Sequence, residues 1–139
     1  MKHGYTTGVF DLFHVGHLRL LKRAAQSCDF LTVGVTSDEL ATSVKGISPT
    51  IPYSERLEIV ESIDVVDRAV EQSSYDKLAA WKNLRFDVMF VGDDWKGTPQ
   101  WNEYESIFEA RGVEIIYLPY TLHTSSTLLR DLVKRANEI

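Results

Sequence analysis

One cysteine, Cys28, is all the thiol chemistry in this 139-residue chain. A single thiol allows no internal disulfide and no thiolate metal cluster. Nothing in its neighbourhood, "AAQSCDF", activates it, so Cys28 reads as a packed group where a helix ends against a strand. Positive charge is also short: 15 Lys and Arg against 20 Asp and Glu leave a net charge of −5. That excludes an overall basic field for nucleic acid or an anionic membrane, so a bound polyanion must be held by a few placed cations and backbone amides. No apolar run approaches the roughly 20 residues that span a bilayer. The opening "MKHGYTTGVF" lacks the apolar core of a signal peptide, and the expectation is a soluble cytoplasmic protein. Repeats, low-complexity tracts and linker-like shifts in composition are absent as well, which leaves residues 1–139 as one domain.

What is present is alternation. A strand near 3–8 leads to a helix from about Gly16 to Ser27, with Leu18, Leu21 and Ala25 on one face. "FLTVGV" (30–35) is β-branched and reads as a buried strand. "SDELATSV" predicts a short helix capped by Ser37 or Asp38, and "YSERLEIVESI" (53–63) an amphipathic one with Leu57, Val60 and Ile63 inward. "DRAVE" then predicts a short strand and "YDKLAAWKNL" a helix. "FDVMFVG" (86–92) and "VEIIYLP" (113–119) are further strands, separated by a helix over Trp101–Ala110 that breaks at Gly112. "SSTLLRDLVKRA" predicts a final helix. Strand–helix alternation implies an α/β fold: a Rossmann-like parallel sheet with helices on both faces. Ligands of such sheets bind at the carboxyl ends of the strands, which singles out "TTGVFDLFHVGH", "GDDWKG" and "PYTLHTSST".

The first of these holds the informative pair. In "HVGH", His14 and His17 are three residues apart at a helix mouth, hence on one side of its first turn. The free amides and dipole of that turn attract anions, and Gly16 lets a phosphate approach the backbone. Two donor-capable rings there suit a phosphate whose charge grows during reaction. Two capping or packing histidines are the plain alternative. A metal pair is another, although it needs further ligands and no "HExxH" is present.

"GVFDLFHVGH" resembles the GxFDxxHxGH signature of the HxGH nucleotidyltransferase superfamily, the cytidylyltransferases and related adenylyltransferases. The likeness runs over nearly the whole chain through "TSDEL", "YSERLEIVESI", "VGDDWKG" and "YLP.T...SST". It is closest to the glycerol-3-phosphate cytidylyltransferases. The resemblance implies a CTP-dependent enzyme. A substrate phosphate would attack the α-phosphate, giving a CDP-alcohol and pyrophosphate, with Mg2+ accompanying CTP and a homodimer as the assembly. An adenylyltransferase forming an ADP-sugar, or a nucleotide-binding module without catalysis, are the alternatives.

Such chemistry needs positioning and charge neutralisation, and an anionic nucleophile needs no general base. The resemblance makes His14 and His17 donors to the triphosphate and brings Gly8, Val9 and Phe10 against the nucleotide. Asp11 would orient that turn or reach Mg2+ through water. Lys45, on a Gly/Pro loop, and Arg56 would meet phosphates; otherwise they are a solvated lysine and a surface arginine. Gly92 and Asp93 would contact the nucleotide, Asp94 a substrate hydroxyl, and Trp95 would wall the pocket; otherwise the aspartates are caps and the Trp is packed. Ser125, Ser126 and Thr127 would hold the β- and γ-phosphates where capping alone would explain one of them. Three positions depart from the pattern. Tyr120 and Asp64 stand where arginines are expected, and His123 where glycine is expected. The reaction class is unaffected, while the second substrate opens to other phosphorylated polyols or phospho-amino-alcohols.

Overall fold

A computed structural model describes residues 1–119 and 126–137. Twelve elements follow one another: β1 (His3–Gly8), α1 (Val15–Ala25), β2 (Phe30–Thr36), α2 (Asp38–Lys45), α3 (Tyr53–Glu61), β3 (Arg68–Gln72), α4 (Lys77–Leu84), β4 (Val88–Gly92), a 3-10 turn (Asp93–Trp95), α5 (Pro99–Glu109), β5 (Glu114–Leu118) and α6 (Ser126–Asn137). All strand pairs are parallel, in the order β3-β2-β1-β4-β5. The chain therefore winds outward from β1 to β3, then returns to place β4 on the other side of β1. That reversal is the switch point where parallel sheets open a ligand crevice.

The register shows the opening. β1 pairs with β2 over six residues, but with β4 only at Gly4↔Val88 and Tyr5↔Met89. Beyond Tyr5 the two strands part, and the Thr6 hydroxyl donates to the Phe90 carbonyl at 3.1 Å. Each sheet face carries its own core. On one, Leu21 and Ala24 of α1 and Val60 of α3 pack on Leu31, Val33, Val35, Val88 and Phe90. On the other, Tyr5, Phe86 and Met89 meet Trp101 and Phe108 of α5, with Leu78, Trp81 and Leu84 of α4 beside them. Burying β2 on both sides explains its unbroken apolar and β-branched run.

Expected and observed elements agree in kind and differ at their ends. α5 begins two residues before Trp101 because the Thr98 side chain caps it and Pro99 takes the first helical position, where a missing N–H costs nothing. α1 stops at Ala25 rather than Ser27. Ser37 is the cap of α2, its hydroxyl accepting from the Leu40 N–H at 3.1 Å. Cys28 is half-buried, its thiol 3.5 Å from the Ala24 carbonyl, and burial pushes its pKa up, as for a packed thiol. No helix among the described residues is long and apolar enough to cross a membrane.

Candidate active site

The turn between β1 and α1 is held under strain. Phe10 and Leu12 adopt φ of 55° and 50°, a left-handed conformation that bulky L-residues rarely take. Phe10 is kept there because its ring is buried in the core beside α1. Gly8 makes room for it: a Cβ on Gly8 would come within 2.9 Å of the Phe10 ring. The strained turn delivers His14 to the helix mouth in extended backbone, as the N-cap of α1.

His14 and His17 then cap the helix reciprocally. The Gly16 N–H donates to His14 Nδ1 at 3.0 Å, and the His14 N–H donates to His17 Nδ1 at 3.2 Å. This is a capping box in which histidines take the usual Ser/Thr and Glu/Gln places. The rings stack with centroids 4.0 Å apart, and Phe10 and Phe13 close round His17 at 5.4 and 5.2 Å. Burial lowers both imidazole pKa values. That of His17 falls to about 4, with His14 adding to the effect of burial and Asp11 opposing it. Both rings are thus neutral at pH 7. A neutral imidazole that accepts at Nδ1 carries its proton on Nε2, so the pair presents two Nε2–H donors. Capping and ligand binding, which compete as readings of the sequence, use different nitrogens of the same rings. The Gly16 amide is committed to His14, and the Nε2–H groups of the rings remain as donors at this turn.

Asp11 is 3% exposed and ties distant segments together. It accepts from the Thr50 and Ile51 N–H groups at 2.8 and 2.9 Å and from Arg130 Nη2 of α6 at 2.8 Å. Burial works against its charge, but the two backbone donors and Arg130 outweigh it and hold the pKa below the usual carboxylate value. Its oxygens are committed to orienting the loop. A Mg2+ ion does not fit here as a ligand of Asp11, and among the described residues no group of three or more His, Cys, Asp or Glu could hold a metal. Lys45 lies on the last turn of α2, not on a loop; Gly46, at φ 76°, follows as the left-handed cap. Lys45, Val9, Asp11 and Arg130 enclose a gap of about 10 Å³, room for a single water.

Arg56 is placed differently from both of its expected positions. It is neither on the surface nor turned to an open phosphate site, being 1% exposed. Its Nε donates to the Ile51 carbonyl at 2.8 Å, and Nη1 to the carbonyls of Val9 and Thr36 at 2.6 and 2.8 Å. Its Nη2 bonds Asp38 Oδ1 at 2.7 Å. The guanidinium clamps the carboxyl ends of β1 and β2 to the start of α2, and so holds the turn between β1 and α1 through the Val9 carbonyl.

Gly92 ends β4 beside this crevice, and Asp93, Asp94 and Trp95 form the exposed turn after it. The aspartates are not caps, since Thr98 caps α5, and no described residue bonds their side chains. Trp95 is not packed either, at 54% exposed. Asp64 is exposed in the turn before β3, at the amino ends of the strands, so an arginine there would not have faced this crevice. Ser126 and Thr127 open α6. Tyr120, His123 and Ser125 lie outside the described residues.

Two cations escaped the sequence reading. Arg130 pairs with Asp11, and Lys77 Nζ donates to Thr7 Oγ1 at 3.2 Å beside the glycine turn. A signal existed. Arg56, Lys77 and Arg130 are the fourth, first and fifth residues of their helices, where the helix dipole disfavours a cation. A cation at such a position needs a partner or a ligand.

Comparison with known proteins agrees with this geometry. The cytidylyltransferase-like family model matches residues 5–132. The chain is 35% identical to glycerol-3-phosphate cytidylyltransferase of Bacillus spizizenii over 131 residues, 94% of this chain and 95% of that one. It is 33% identical to the Bacillus subtilis enzyme of the same name over 132 residues, 94% and 96% of the two chains. A crystal structure of a lipopolysaccharide core biosynthesis protein from Thermoplasma volcanium superimposes with a TM-score of 0.73 at 27% identity, covering 89% of this chain and 99% of that one. The chain belongs to the cytidylyltransferase-like family of nucleotidyltransferases.

Proposed function

We propose that this protein transfers CMP from CTP to a small phosphorylated alcohol, with glycerol 3-phosphate as first candidate, releasing pyrophosphate. The observation that carries the reading is the reciprocal His14–His17 cap, which locks both Nδ1 atoms and leaves two neutral Nε2–H donors at a helix mouth. An acceptor phosphate is already an anionic nucleophile. One of its oxygens bonds to the α-phosphorus as the bond to the pyrophosphate oxygen breaks, and no base is required. Protein groups must then meet the charge that moves onto the leaving pyrophosphate. Neutral Nε2–H groups do this without first losing a backbone partner, since the helix holds the rings by their other nitrogens. Preorganised donors of this kind are worth about 10²–10³ in rate. Lys45 and Arg130 add permanent positive charge beside Val9. Magnesium is proposed to enter with the phosphates of CTP.

CTP is expected to raise the melting temperature more than ATP, GTP or UTP at equal magnesium, because selective ligands stabilise by mass action. Pyrophosphate release should appear with CTP and a phosphorylated alcohol together. Greater protection and turnover with ATP would replace this reading by adenylyl transfer.

A further inference from the structure

Tyr5 carries a hydroxyl that the fold leaves unspent. Its ring stacks on Phe86 in the second core with centroids 4.9 Å apart, and the residue is 3% exposed. A buried phenol normally finds a hydrogen-bond partner. Among the described residues none bonds Tyr5 Oη. The oxygen is not sealed in the core: Tyr5 borders a cleft of about 270 Å³ between α4 and the edge strand β3. Burial pushes the phenol pKa up to about 12, so at neutral pH it keeps a proton to donate.

Small residues hold the cleft open. Gly34 has no side chain to fill it, and Tyr5 leans across that gap, so that a Cβ on Gly34 would meet Tyr5 Oη at 2.8 Å. Ala79 and Ala80 form the α4 wall, with Val70 and Leu84 completing an apolar lining. Ligand pockets run from about 300 Å³ upward, so this one suits a small molecule rather than a second nucleotide. Its polar groups are mostly donors. Arg68 and Asn83 line it beside Tyr5, and among the described residues Arg68 forms no ion pair. The carboxylates nearby are turned elsewhere: Asp76 accepts from the Leu78 and Ala79 N–H groups, and Glu71 lies near Tyr53 of α3, on the other sheet face. Donors without acceptors call for an anion, and a guanidinium fork matches a carboxylate or a phosphate. The apolar lining selects the less strongly hydrated of these, a carboxylate on an apolar body.

The place is separate from the nucleotide crevice. Tyr5, Thr32 and Arg68 stand in one cross-strand row, and Arg68 opens β3 at the amino ends of the strands. Asn83 is near the end of α4. The histidine turn follows the carboxyl end of β1 instead. We propose that this cleft is a second small-molecule site, which takes a small apolar carboxylate on Arg68, Tyr5 and Asn83.

Benzoate is a suitable probe, with benzamide as its neutral isostere and inorganic phosphate as the other anion. In the whole 139-residue protein with labelled tyrosine rings, NMR should show saturable benzoate binding. The signal that moves most should be the one missing from Tyr5→Phe. Benzamide and phosphate should each bind at least tenfold more weakly, and saturating CTP should leave the benzoate affinity within twofold. Arg68→Met should weaken benzoate at least fivefold. Tyr5→Phe should weaken it at least threefold and melt no lower than the parent, since its hydroxyl has no bond to lose. Ala79→Leu, at an exposed position on the cleft wall, should block benzoate while the protein stays folded. Absence of saturable binding, equal binding of benzamide, tighter binding of phosphate or displacement by CTP would each overturn the proposal. So would an unchanged benzoate affinity in both Arg68→Met and Ala79→Leu.

Discussion

Replacing His17 with glutamine should lower kcat at least 100-fold while the protein stays folded, with a melting temperature within about 5 °C of the parent. The separation follows from the two nitrogens of the ring. His17 Nδ1 accepts the His14 N–H and so supports the helix, whereas Nε2–H is the donor left for phosphate. Glutamine suits this helix position, because its carbonyl reaches back to the N-cap amide, but it cannot place an Nε2–H where the imidazole does. His14→Ala should cost similar activity and about 1 kcal/mol of stability, the usual price of an N-cap. A turnover loss within threefold for either variant would remove the pair from the chemistry. pH gives a second reading of the same ring. Unfolded His17 protonates near pH 6.5 and folded His17 near 4, so between those values the unfolded chain binds more protons and stability must fall as pH falls. His14, shifted the same way, adds to this slope. In His17→Gln the acid slope should flatten. His17 stays neutral at pH 6.5, so its titration should take no activity from the parent there.

Arg56→Met should act on the fold before it acts on catalysis. It leaves the Val9, Ile51 and Thr36 carbonyls without their donor and Asp38 without its cation. Removing one partner of a buried pair costs about 3–5 kcal/mol; Asp38, with 36% of its side chain exposed, puts this pair at the lower end. Each orphaned carbonyl adds about 1–3 kcal/mol unless water reaches it. Domains hold about 5–15 kcal/mol in all, so the variant should lose more than half of its urea midpoint or fail to fold. Arg56→Lys should rescue only partly, since an ammonium cannot match the planar fork that reaches four oxygens. A phosphate-facing arginine would behave otherwise, with a normal urea midpoint and a raised KM. Urea melts without nucleotide separate the two.

The fold was legible because burial on both faces writes itself into strands such as β2 and β4 as unbroken apolar runs. The histidine pair was legible too, since a three-residue spacing at a helix start leaves one geometry for the rings. Arg56 shows where local reasoning stops. Its odd place near a helix start was visible, but whether the guanidinium met a ligand or three carbonyls depended on where β1, β2 and α2 converge. Asp64 makes the same point about direction: a position in a motif does not say which end of the sheet it occupies. Nor did "GVFDLF" announce left-handed Phe10 and Leu12, because the strain is held by the packing of Phe10 against the core and Gly8. Arg130 and Lys77 were readable in the same way, as cations set against their helix dipoles.

The central claim is that an acceptor phosphate oxygen attacks the α-phosphorus of CTP. Its most direct test is phosphorus NMR of a reaction between CTP and glycerol 3-phosphate labelled with oxygen-18 in its phosphate. The account predicts a diphosphate ester whose bridging oxygen carries the label, shifting both phosphorus resonances, with one equivalent of unlabelled pyrophosphate. Free CMP with no diphosphate ester, or an ester with no label at the bridge, would contradict it.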